Sequence, residues 1–320
     1  MSKNQFRTDS ERYLEEIRGN YKESTFQEKR RKLYNFSRIL YSLSEEKKIS
    51  TCNPRKMTKE DVNAYVSFRR SKGISDSTIR KDLTLIGDLL RYVGSDAMDL
   101  YRVVYGNRKP RSYFGKLDPL PDETIEKVYA LARSTDDWKI LQGCVAIILG
   151  CAGGLRPQES RQLYVEDVHH LAPEPYIHIK HVKGEGKWGR ERSAPLNDGV
   201  SDIIEKYVRM REEKLRLAGR QSSAFFPPLR SRHEFVSQQS MSRFKGYVAE
   251  ALGETFVLKD GRRSYGQRML DRGVPIEYVS YCMGHDSVET TQKYYASYRD
   301  RDVLSQVHGI LSGRSPGFGQ

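Results

Sequence analysis

The sequence is short of cysteine, of long apolar runs and of nucleotide or metal signatures, and each shortage excludes a class of protein. Its four cysteines, Cys52, Cys144, Cys151 and Cys282, stand far apart among 320 residues and form no CxxC pair. That spacing excludes a disulfide framework and a cysteine zinc site, and free thiols in a reducing cytoplasm are expected. No stretch approaches the roughly 18 apolar residues of a membrane-spanning helix. Met1 to Asn20 is polar and lacks the apolar segment of a secretory signal, so no membrane partner is expected. The glycine-rich stretch Lys183 to Gly189 lacks the GxxxxGK[ST] spacing of a phosphate loop, which excludes that route to ATP. HExxH, EF-hand and GxSxG patterns are also missing. His178 and His181 lie three apart on an expected strand and so face opposite sides. They and the adjacent pair His169 and His170 suit structural or surface roles, and no metal or cofactor is expected.

What is present is basic charge and enough apolar residues to build cores. Lys and Arg number 55 against 42 Asp and Glu, a formal charge of +13. Hydrophobic residues make up 37% and aromatics 10%, which excludes disorder throughout. Residues 1–112 hold 25 basic and 15 acidic side chains, and the remaining 208 hold 30 and 27. The charge therefore points to a polyanion partner, held mainly by the first third of the chain.

That first third reads as helical. Phe26, Leu33, Phe36, Leu40 and Leu43 recur at helical spacing. Thr58 with Asp61 resembles a capping box, ahead of Val62, Tyr65 and Val66 and a stop at Gly73. Ile79, Leu83, Ile86, Leu90 and Val93 follow, ending at Gly94. These apolar residues are core. Arg69, Arg70, Arg80 and Lys81, set between them, are either contacts to the polyanion or a solvated face. Residues 107–122 read as a linker, with Pro110, Gly115, Pro119 and Pro121 among cationic residues. The boundary falls near residue 115. Beyond it come an apolar helix over Ile140 to Leu149, a strand over Tyr176 to Val182 and a return strand to Pro195. Helices are then expected over 200–218, 241–252, 262–271, 276–283 and 288–296. An amphipathic stripe over 303–311 precedes a flexible end. The fold class expected is mainly α with a small β-hairpin or sheet.

Three polar clusters sit where turns meet regular elements. Arg156 precedes a helix opened by Pro157, with Glu159 in its first turn; Lys259 and Arg262 open another helix; His285 follows Gly284, nine residues before Tyr294. Arginine grips phosphate bidentately and helix N-termini favour anions. Two arginines, a lysine, a histidine and a tyrosine could together hold a phosphodiester and attack it. Taken singly, each has an ordinary structural reading.

In order and spacing, Arg156-x-x-Glu159, a hairpin lysine, Lys259-x-x-Arg262, Gly284-His285 and Thr290-Thr291-x-x-Tyr294 resemble the tyrosine recombinase (integrase) family. The match runs over about residues 117–300, and the helices around 77–93 also resemble the family's core-binding domain. The resemblance implies a two-domain DNA clamp: an N-terminal tail over 1–20, a helical core-binding domain over 21–112, a catalytic domain over 113–302, and a C-terminal helix and tail over 303–320. That last helix either exchanges between protomers or packs on its own domain. The implied activity is cutting and rejoining of double-stranded DNA through a 3′-phosphotyrosine, without ATP or metal, by a homo-tetramer in the cytoplasm, associated with the nucleoid.

The resemblance also implies roles. Tyr294 is the nucleophile, Arg156 and Arg262 stabilise charge, Glu159 orients Arg156, and His285 and Lys259 add hydrogen bonds, with His285 the better base. The hairpin lysine is Lys183 in preference to Lys187, and Lys180 lies nearby. Lys259 stands where the family pattern has histidine. A lysine is ordinarily a cation and suits charge stabilisation better than proton acceptance. A type IB topoisomerase-like relaxase, or a DNA-binding protein without catalysis, would use the same fold.

Overall fold

The computed structural model describes residues 5–106, 119–182, 190–294, 308 and 311; of Lys293 and Tyr294 only the backbone is described. The chain divides into two units, Met1–Gly115 and Lys116–Gln320.

The first unit is helical. Helix α1 spans Gln5–Ile17, α2 Glu23–Glu45, α3 Lys59–Ser71, α4 Asp76–Tyr92 and α5 Ala97–Val104. The stripe Phe26, Leu33, Phe36, Leu40 and Leu43 of α2 is buried throughout. Helix α3 starts at Thr58 with both halves of its capping box in place. Asp61 also accepts from Ser50 N at 2.6 Å and Ser50 Oγ at 2.7 Å, which ties the preceding loop to the helix start. In α4, Ile79, Leu83, Ile86 and Leu90 face the core.

Two helices here were not expected. Residues 1–20, read as a tail, instead carry α1, whose Phe6, Tyr13 and Leu14 join the core. Phe6 packs against Phe36 with ring centroids 5.4 Å apart, and buried Asp9 accepts from Arg55 at 2.8 Å. Burial of three such side chains contributes about 1.5–3 kcal/mol each, enough to dock a mostly polar helix. Helix α5 is only eight residues long and buries Ala97, Met98 and Tyr101, too short a stripe to stand out as a period.

In the second unit, α6 spans Asp122–Ser134 and α7 spans Trp138–Cys151. Every residue of α7 from Leu141 to Cys151 is buried. A helix apolar all round belongs at the centre of its unit, and α7 is packed by α6 and by three later helices: α9 (Ser201–Leu217), α10 (Gln238–Leu252) and α11 (Leu258–Asp271). Close approach depends on glycine. A Cβ on Gly143 would lie 2.3 Å from Phe244 O of α10, and one on Gly261 of α11 would lie 2.9 Å from Cys151 Sγ.

Helix α8 (Pro157–Arg161) is a single turn, and α12 (Ile276–Met283) and α13 (Val288–Tyr294) close the described chain. Strands β1 (Val168–His169), β2 (Tyr176–Ile179) and β3 (Arg192–Pro195) form one antiparallel sheet in the order β1-β2-β3. The hairpin pairs Ile177 with Ala194 and Ile179 with Arg192. The two-residue β1 adds a third strand that is too short to leave an alternating pattern. The stretch 303–311 lies outside the described residues apart from His308 and Leu311, both exposed. Among the described residues no helix is long and apolar enough to cross a membrane.

Candidate active site

Three arginines converge on one buried carboxylate. Arg156 ends the loop after α7 and caps α8, where Pro157 sets the first helical residue. Glu159, one turn on, reaches back to accept Arg156 N at 2.8 Å and Arg156 Nη1 at 2.7 Å. Arg262 enters from α11 with Nη1 3.8 Å from Glu159 Oε2. The third is Arg192 of β3, whose Nη1 and Nη2 donate to Glu159 Oε1 and Oε2 at 3.2 and 2.8 Å. Burial alone would raise the Glu159 carboxyl, but the Arg192 hydrogen bonds and the charges of Arg192, Arg262 and Arg156 hold it at about 2. Three guanidinium groups against one carboxylate leave a local excess of positive charge.

The same arginines hold the turn between α12 and α13. Arg156 Nη2 donates to Gly284 O at 2.9 Å, Arg192 Nε to Cys282 O at 2.8 Å, and Arg262 to Met283 O. Arg262 Nη1 also donates to Gly154 O at 2.6 Å, joining the loop before Arg156 to the turn before His285. The α12 C-terminus thus offers successive carbonyls to cations, as the negative end of a helix should.

Gly284 ends α12 in the left-handed region at φ +59°, and a Cβ there would lie 2.8–2.9 Å from the Arg192 guanidinium. Gly284→Ala should therefore lose both about 1–2 kcal/mol of backbone preference and the Arg192 contacts. Gly253→Ala, at φ +65° with open space around it, loses only the first. Thermal unfolding should separate the two, with Gly284→Ala the less stable.

His285 follows that turn, and its Nδ1 lies 2.8 Å from Oγ1 of buried Thr291 on α13. Burial, then the charges of Arg262, Arg156 and Arg192, push its pKa down to about 3, so the ring is neutral at physiological pH. An unfolded histidine protonates near 6.5. The stability that comes from keeping His285 neutral is thus complete above about pH 6.5 and is lost as the pH falls towards 3. Glu159, depressed from 4.5, adds a loss of the same sign at lower pH. The melting temperature should fall between pH 7 and 5, and His285→Gln should flatten that slope.

The structure thus brings Arg156, Glu159, Arg262 and His285 together. Lys259 is exposed in the first turn of α11, three residues before Arg262 and so on the same helix face. Tyr294 is the last residue of α13, three positions after Thr291. Lys183 and Lys187 lie outside the described residues. Lys180 is taken by acids: its Nζ is 2.6 Å from Asp167 and 3.7 Å from Glu166. Of the histidines, His169 stacks on Tyr176, His178 faces Ser193 and Glu191, and His181 lies against Tyr164 and Phe235. Among the described residues no group of three His, Cys, Asp or Glu side chains could hold a metal ion.

In the first unit, Arg69 pairs with Asp82 at 2.9 Å and Arg70 holds Asp76 with two hydrogen bonds of 2.9 Å. Arg80 and Lys81 are exposed on α4.

Arg192 and Thr291 were not among the candidates read from the sequence. A signal for Arg192 exists in strand parity: it shares a face with buried Ala194, an inward position for a charged side chain.

The phage integrase family model matches residues 120–301. Tyrosine recombinase XerD of Listeria monocytogenes is 22% identical over 260 residues, covering 80% of this chain and 84% of that protein. XerA of Pyrococcus horikoshii is 24% identical over 239 residues, covering 74% and 75%. Among solved structures, the Tn1549 transposon integrase in complex with a circular intermediate DNA aligns at TM-score 0.68 and 16% identity, over 94% of this chain and 99% of that one. A lambda integrase dimer bound to a COC′ core site aligns at 0.62 and 16%, over 92% and 77%.

Proposed function

This chain belongs to the phage integrase family and is a site-specific tyrosine recombinase, an enzyme that cuts and rejoins DNA; from that premise we propose that Tyr294 is its nucleophile and that the arginine cluster receives the scissile phosphate. The observation that carries this reading is the convergence of Arg156 and Arg262 on Glu159 beside His285, with α13 running from the Thr291 contact of His285 to Tyr294.

The Tyr294 hydroxyl attacks phosphorus and the 5′ oxygen leaves, giving a 3′-phosphotyrosine and a free 5′-OH. The phosphodiester bond is conserved in the protein–DNA linkage, so rejoining by the reverse attack needs no ATP. Arg156 and Arg262 donate to the non-bridging oxygens and stabilise the charge of the pentacoordinate transition state. Glu159 fixes the plane of the Arg156 guanidinium. Arg156 keeps 24% side-chain exposure against 7% for Arg262, so Arg156 is the more accessible ligand.

His285 takes the tyrosine proton. Its low pKa without DNA comes partly from the three cations a phosphate would offset. Arrival of the anion therefore strengthens the base when it is needed. Lys183, or Lys187 in its place, protonates the leaving 5′ oxygen, and Lys259 adds positive charge at the rim. The cations do the work that a metal does in other phosphoryl-transfer enzymes, so no metal is required.

The partner is double-stranded DNA, gripped on the helical first unit by exposed Arg70, Arg80 and Lys81 through phosphate contacts, with Arg69 added where DNA draws it from Asp82. Recombination joins two duplexes through four strand cuts, so four copies assemble on DNA, with the 303–311 stripe available to link neighbours. Such an enzyme works where the nucleoid is. The test is a nicked duplex from the protein's own genetic surroundings, on which cleavage releases a short fragment and strands the intermediate. A protein–DNA adduct on a denaturing gel, formed in EDTA without ATP, is the expected result. Tight binding with no adduct on any such duplex would overturn the reading.

A further inference from the structure

Arg192 stands apart from the other cations of the cluster. Its side chain is only 3% exposed, and all three of its nitrogens donate inward: Nη1 and Nη2 to Glu159, Nε to Cys282 O. Buried to that degree, it offers a phosphate no exposed edge. A buried arginine makes sense only if what it holds is worth the desolvation, since an ion pair in the interior is at best weakly stabilising. What it holds are two pieces of the site remote in sequence. On one side is the carboxylate that orients Arg156, 33 residues earlier; on the other is the turn that delivers His285, 90 residues later. Its own backbone is the first residue of β3, opposite Ile179 of β2, and Lys183 and Lys187 fall between those two strands in sequence.

We propose that Arg192 is the positioning residue of this active site, clamping Glu159 and the Cys282–Gly284 turn to the base of the β2–β3 hairpin so that Arg156 and His285 are set in register before DNA arrives. The proposal rests on the recombinase reading above. The planar fork matters as well as the charge. Glu159 Oε1 is shared by Arg156 Nη1 and Arg192 Nη1, while Oε2 takes Arg156 N and Arg192 Nη2, so the carboxylate is held in one plane from both sides. Lysine keeps the charge but cannot make two parallel bonds and a third to Cys282 O from separate nitrogens. Without the fork, Glu159 is free to rotate and the turn loses a donor.

The test uses Arg192→Lys in the full chain. Adduct formation on the nicked duplex at saturating protein should slow about 10²-fold, the cost of misplacing a catalytic group by about an ångström. DNA affinity should stay within about threefold, because Arg192 does not touch the phosphate. In combination with Glu159→Gln, the lysine change should add clearly less than it costs alone, because one arm of the clamp acts through that carboxylate and only the Cys282 arm remains to be lost. Ile179→Val is the control: it loosens the same strand pair without touching Glu159, and it should leave the rate near that of the unaltered chain.

A rate for Arg192→Lys within about threefold of normal, multiplicative losses with Glu159→Gln, or equal slowing by Ile179→Val would each overturn the proposal. If the lysine chain does not fold, Arg192→Gln, which also breaks the fork, takes its place with the same expectations. The ring signals of His285, followed by NMR without DNA, separate this idea from the recombinase reading. If the unaltered chain makes no adduct, that reading fails. A His285 signal displaced in Arg192→Lys would still support the clamp, and an undisplaced one would refute it.

Discussion

Tyr294→Phe should bind the nicked duplex as tightly as the unaltered chain and form no covalent adduct with it. The change removes one oxygen and keeps the ring, so packing and charge at α13 are unaltered while the only proposed nucleophile is gone. No neighbouring group in the cluster can substitute for it: Arg156, Arg192 and Arg262 are cations, His285 would yield a labile phosphoramidate, and Glu159 is buried beneath three guanidinium groups. The loss in adduct formation should be at least about 10⁴-fold, the scale on which removal of a nucleophile is felt. Binding should be spared, because affinity for duplex DNA comes mostly from phosphate contacts spread over the basic surface. Tyr295→Phe, run beside it, should form the adduct. If instead Tyr295→Phe is the inactive variant, the nucleophile is one residue further along and the geometry of α13 must be reread from Thr291.

Arg156→Ala should be nearly inactive with the fold intact. Its guanidinium is the most exposed of the three arginines in the cluster and points one donor at Glu159 and another at Gly284 O. A preorganised donor facing developing charge in a site shielded from water is worth about 2.7–4 kcal/mol, or 10²–10³ in rate. DNA affinity should change little, since one phosphate contact among many is lost. Stability should fall modestly, because Glu159 keeps the two Arg192 hydrogen bonds that hold its carboxylate ionised. Single-turnover cleavage and thermal unfolding of the same preparation check both halves. Full activity would remove Arg156 from the site; a large loss of stability would mean that its role is to hold the α12–α13 turn.

Much of this protein is legible without a structure, because the information is local. The stripes of α2, α3 and α4 repeat at helical spacing, Thr58 and Asp61 mark a helix start, and the all-apolar α7 could only be central. The order Arg156, Glu159, Lys259, Arg262, His285, Tyr294 named the chemistry through its resemblance to the tyrosine recombinase family. Where local signal was thin, the reading failed: α1 has few apolar residues for its length, and α5 has little more than two turns.

Arg192 could not be assigned from the chain alone, for a different reason. Arg190 and Arg192 stand two apart in a basic stretch, and composition gives no ground to choose between them. The two share strand parity, so only the start of β3 at Arg192 and its packing against α8 and the α12–α13 turn turned that arginine inward and set a carboxylate and a carbonyl within its reach. Residue types and their order are written along one dimension and determined what the site can do. Which cation is spent on holding the site, and which are left to meet a phosphate, depends on distances between residues tens of positions apart, and burial in three dimensions decides it.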